Sequence, residues 1–131
     1  GDEGYHECVY SLTPHAGAFS AGAVVEPAYA LNNPVLTCEG TVSYKAPVTV
    51  DSDHVIVETI KPCEKEERAF IVRLYECEGS QAVTKLTTGF DAVRAAAANM
   101  LETVQEPLHA EEGCYPLTFR PFEIKTLKFW Y

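Results

Sequence analysis

The chain closes on Arg120-Pro121-Phe122-Glu123-Ile124-Lys125-Thr126-Leu127-Lys128-Phe129-Trp130-Tyr131, where apolar residues alternate at Phe122 and Ile124 and resume in the opposite phase at Leu127 and Phe129. Period-two alternation predicts a strand, and the change of phase predicts a one-residue slip near Lys125 and Thr126. Similar patterns predict strands at 5–12, 54–60, 69–77, 82–87 and 115–119. The runs at 54–60 and 69–77 flank the charged turn "KPCEKEER" and make an antiparallel hairpin. In its second strand Phe70, Val72 and Leu74 share one face, and Ile71, Arg73 and Tyr75 share the other. That second face is too apolar for open water and too polar for a core, which predicts docking on neighbouring protein.

Other stretches lack this alternation. Ser20 is placed to cap a short helix through Val25, Pro27 suits the first turn of another, and Asn33 before Pro34 stops it. Residues 35–50 read as a turn-rich connector. Over 90–102 the residues pull both ways. The alanine run after Asp91 is a helix signal, yet alanine also suits a strand that another element approaches closely. No internal repeat is evident.

Composition narrows the classes. At 131 residues, 47% hydrophobic and with seven Tyr and six Phe, the chain has enough apolar material for one β-rich globular core. A net charge of −9 repels phosphate backbones and anionic lipid, so neither nucleic acid nor membrane is expected as a partner. No apolar run reaches the roughly 18 residues of a bilayer span, and no secretory signal opens the chain, which predicts a cytoplasmic location. Cys8, Cys38, Cys63, Cys77 and Cys114 are scattered and odd in number, as expected of reduced thiols serving as small buried hydrophobes. A strand pattern begins directly after Gly1-Asp2-Glu3-Gly4 without an initiator Met, which reads as a piece excised from a longer protein, with Gly1 a cleavage scar.

Five ordered stretches carry a family resemblance: "YSLTPHAG" (10–17), "AYALNNP" (28–34), "VIVETIK" (55–61), "VRLYE" (72–76) and "RPFEIKTL" (120–127). Together they resemble the C-terminal β region of the family 38 glycoside hydrolases, the α-mannosidases. The resemblance implies an all-β fold: an antiparallel, immunoglobulin-like β-sandwich preceded by the tail of a larger β-sandwich with a short helical segment. Residues 1–51 would close the central β-sandwich, with the helix near 20–32, and residues 52–131 would form the small terminal sandwich. It also favours strand over helix in the alanine region, aligning Asn99-Met100-Leu101-Glu102 with an extended family segment; Thr103-Val104-Gln105 are extra residues.

By the same resemblance the parent chain is a cytoplasmic, zinc-dependent retaining α-mannosidase that hydrolyses terminal α-mannosides. Its zinc ligands and Asp nucleophile lie in an N-terminal catalytic domain, and none maps here. This piece would then be non-catalytic, without a cofactor of its own, its partners being the catalytic and central domains. The residues agree: His6, His15, His54 and His109 are widely spaced, and neither CxxC nor GxSxG occurs. A retaining glycosidase needs two carboxylates about 5–5.5 Å apart. Glu58, Glu76, Glu102 and Glu123 fall on strands, but nothing in the sequence distinguishes a catalytic from a solvated one. Arg73 beside Tyr75 is the candidate for interdomain docking through a charge-assisted pair. Trp130 and Tyr131 are the candidates for sugar stacking. The alternative reading is a stand-alone carbohydrate-binding or immunoglobulin-like protein-interaction module.

Overall fold

Among the described residues eight strands form where short apolar runs are broken by turns, and every pairing between them is antiparallel. The computed structural model describes residues 3–131; Gly1, read above as a cleavage scar, lies outside them. Strands β1 (Val48–Val50), β4 (Ala82–Thr88) and β7 (Cys114–Phe119) make a three-stranded sheet in the order β1-β4-β7. A five-stranded sheet takes β2 (Val55–Pro62), β3 (Ala69–Glu76), β8 (Ile124–Trp130), β5 (Arg94–Ala98) and β6 (Val104–Leu108) in the order β2-β3-β8-β5-β6. The two sheets form an all-β sandwich, as expected.

Alternation builds the core. Val55, Val72, Leu74, Ala95, Leu127 and Phe129 of the larger sheet meet Val48, Ala82, Leu86, Tyr115, Leu117 and Phe119 of the smaller. At one end Phe129 packs edge-on to Tyr115 (5.2 Å) and stacks with Phe70 (5.6 Å), offset arrangements that ring quadrupoles favour. Gly89 permits a close crossing there: its N–H donates to the Pro47 carbonyl (2.9 Å), and a Cβ at this position would lie 2.2 Å from the Ala46 oxygen.

The chain divides into two units, one ending at Glu39 and the other running from Gly40 to Tyr131. In the first, Ser20 Oγ accepts from the Ala23 N–H (3.3 Å) and caps a π-helical turn, Ala21–Val25, that continues as α1 (Glu26–Asn32). Asn33 ends α1 ahead of Pro34. The strand expected over 5–12 does not form: Tyr5, Val9, Tyr10 and Leu12 are exposed, and no other described strand pairs with them. Alternation alone does not make a strand, because backbone N–H and C=O groups need a neighbouring ladder.

Four further expectations are corrected. The connector read over 35–50 ends in a strand, β1, whose Val48 and Val50 pair with Thr88 and Leu86. The slip expected near Lys125 and Thr126 is absent, since β8 pairs with β3 in unbroken register from Tyr75↔Ile124 to Ala69↔Trp130. Phe122 belongs instead to the preceding turn, at φ +56°, closed by the Glu123 N–H on the Arg120 carbonyl (3.0 Å). The bulge lies in β2, between Val57 and Thr59. The alanine run is strand β5, but Asn99–Glu102 are a tight turn rather than extended, with Asn99 Oδ1 accepting from the Leu101 and Thr103 N–H groups (3.0 Å each). Val104 and Gln105, among the extra residues, open β6. Finally, all five cysteines are free, but only Cys77 is buried; Cys8 and Cys38 are exposed.

Candidate functional site

The outer face of the five-stranded sheet gathers most of the chemistry. Period two places Ile71, Arg73 and Tyr75 of β3 and Thr126, Lys128 and Trp130 of β8 there, with Ala96 and Ala98 of β5 beside them. Ile71, Lys128 and Ala96 are nonetheless buried. Two turns of the same chain cover that half of the face. The turn after β2 and the turn after β5 meet over it, where the Glu64 N–H donates to Glu102 (2.9 Å) and Lys65 Nζ donates to the Leu101 carbonyl (3.1 Å).

Each buried charge under this cover has a partner, as desolvation requires. Lys128 Nζ pairs with Glu66 at 2.8 Å, and the other Glu66 oxygen accepts from Trp130 Nε1 at 2.6 Å. Lys61 Nζ pairs with the buried carboxylate of Glu102. The Lys61 contact and the Glu64 N–H hold Glu102 at about 2, against an ordinary 4.5. Burial pulls the Lys128 ammonium down, but Glu66 and Cys63 outweigh it and leave the group above its usual value.

Arg73 and Tyr75, the docking candidates, lie at the uncovered end. Tyr75 faces Ile124 across the strands, and Ile124 is 63% exposed. Arg73 donates from Nη2 to the Met100 carbonyl (3.1 Å), while its buried Nε has no partner among the described residues. A cleft of about 490 Å³ opens alongside, lined by Met100, Ile124, Thr126 and Leu127 with Glu106 and Lys125. The stacking candidates part company. Trp130 has the Arg94 guanidinium 3.7 Å above its ring centre, whereas Tyr131 is half exposed at a cleft of about 400 Å³ walled by Pro47, Ile60, Phe70 and Phe90.

Glu76, at the end of β3, and Glu123, in the turn before β8, serve structure. Burial pushes Glu76 up, but the backbone N–H groups of Phe122, Glu78 and Gly79, all within 2.9 Å, reverse this and hold it below its ordinary value. Glu123 is lowered chiefly by the Arg120 N–H (2.8 Å). A glycosidase acid requires a raised value, the opposite environment. His54 contacts Ser80 Oγ (3.2 Å), Glu78 (3.2 Å) and Asp53 (3.8 Å). Among the described residues no three His, Cys, Asp or Glu side chains converge to hold a metal, so the residues present do not fit a zinc ion. The roles of Glu66 and Glu102 were not visible beforehand, because Glu66 sits in a charged turn that reads as solvated and Glu102, expected on a strand, lies instead in the turn between β5 and β6.

Residues 54–127, which span most of this sandwich, match the family model described as the glycosyl hydrolases family 38 C-terminal beta sandwich domain. The chain belongs to this family. Its relatives include Alpha-mannosidase 2C1 of Mus musculus (35% identical) and of Homo sapiens (33%), each aligned over 96% of this chain. Alpha-mannosidase G of Dictyostelium discoideum is 29% identical over 98% of it. The chain spans only 13% of the length of these three relatives. The family 38 sandwich thus matches one part of much longer proteins.

Proposed function

We propose that this chain is the non-catalytic C-terminal β-sandwich of an α-mannosidase that cleaves terminal α-mannosides, and that it braces the catalytic and central domains. Membership of the family 38 C-terminal sandwich carries this reading. The carboxylates add support, since Glu76, Glu102 and Glu123 are committed to backbone donors or lysines and held ionised. Zinc dependence and a retaining mechanism are proposed for the parent chain, whose other domains would supply the ligands and nucleophile. A cytoplasmic location fits five free thiols.

Hydrolysis of an aryl α-mannoside tests the reading. The full-length protein is expected to turn it over and to lose activity to a chelator, while the 131 residues alone show none. Turnover by the isolated 131 residues would refute it. Stand-alone carbohydrate binding is a second reading, favoured by the exposed Tyr131 ring at its apolar cleft; there mannose oligosaccharides would perturb Tyr131 and leave Trp130, engaged by Arg94, unmoved.

A further inference from the structure

On the outer face of the larger sheet Arg73 stands apart, because its Nε is buried without a partner among the described residues. Lys61 meets Glu102 and Glu64, Lys128 meets Glu66, and Arg94 lies on the Trp130 ring near Glu66. Arg73 forms no ion pair among the described residues, although the chain carries nineteen acidic side chains against ten basic ones. Among the described residues its guanidinium donates to a neutral carbonyl at the rim of the covered half. Around it the surface turns apolar: Met100, Leu101, Val104 and Ile124 are all exposed, and the 490 Å³ cleft begins at Met100 and Ile124.

Strand pairing leaves backbone open at the same place. β5 accompanies β8 only from Thr126 to Trp130, so among the described residues Ile124 and Lys125 pair with β3 on one side and with no strand on the other. An extended polypeptide entering the cleft meets an unfilled ladder edge and the apolar side chains of Met100, Ile124 and Leu127 among polar ones, and at the Met100 rim, outside the lining, the Arg73 guanidinium lacks a carboxylate.

We infer that this end of the sheet, from Tyr75 and Arg73 to Met100 and Ile124, receives a segment of the same protein's remaining polypeptide, one that carries an Asp or Glu beside an apolar residue. The inference rests on the proposed parent enzyme, because relatives in which the matching stretch is 13% of the length have ample chain to supply that segment. The Arg73 fork then binds the carboxylate through its outer nitrogens, and Met100 and Ile124 cover the apolar neighbour.

A photo-crosslinking amino acid placed at Met100 of the full-length protein tests this. The expected product is an intramolecular cross-link to an acid-bearing segment outside residues 1–131. Arg73→Glu should weaken that cross-link and speed thermal inactivation on the order of tenfold, and the reciprocal Asp/Glu→Arg change at the cross-linked site should restore both. Arg73→Gln serves if the reversal fails to fold. No cross-link, one confined to residues 1–131, or one only between two copies overturns the inference. Wild-type turnover of an aryl α-mannoside is scored separately: a cross-linked protein without turnover defeats the parent reading and leaves the docking surface standing, and the converse result does the reverse.

Discussion

Glu102 concentrates the electrostatics of the fold in one residue. Its carboxyl stands at about 2 when folded and near an ordinary 4.5 when unfolded. A depressed folded value means that its contribution is complete above about 4.5 and fades as pH falls toward 2. Asp51, Glu66, Glu76 and Glu123 are lowered too and act with the same sign. Urea midpoints should therefore drop across that acid window, and Glu102→Gln should both lower the neutral midpoint and flatten the drop. The partnership was hidden in the sequence because Glu102 takes φ +64° in a turn without glycine, and Arg68 and Phe122 do likewise. Turn signals keyed to Gly pass over such positions. Gly89 shows the converse case: it marks contact rather than left-handed backbone, and Gly89→Ala should cost about 1–3 kcal/mol in denaturant unfolding as its methyl meets the Ala46 carbonyl.

Strands were readable where a segment states its own pattern and finds a partner in the chain. β2, β3, β4 and β7 alternate clearly and pair close to the expected positions. At three residues β1 is too short for periodicity to register. β5 defied propensity because it lies between β6 and β8, whose ladders satisfy its backbone on both sides and leave room only for alanine where Phe129 and Leu108 lie opposite. Ala95→Leu should accordingly overpack the core and lose about 1–3 kcal/mol of unfolding free energy, despite leucine's greater apolarity. Edges are blunted by chemistry already in the sequence: Pro107 in β6, Pro116 in β7, and the bulge and Pro62 in β2.

For the whole molecule, the all-β sandwich and its family were legible because hairpins and ordered local stretches suffice to specify them. The covered outer face was not, since it depends on two distant turns meeting across the sheet. Phe129 ties the layers together through Phe70, Tyr115 and Phe90, and Phe129→Ala should remove roughly 3–5 kcal/mol, read as a lower melting temperature of the 131-residue chain. Lys128 leads to a last consequence. With only 1% of its surface reachable by solvent, its amine escapes acylating reagents for as long as the fold holds. Modification at that one nitrogen therefore becomes a tally of opened molecules, available by mass spectrometry without any assay of activity.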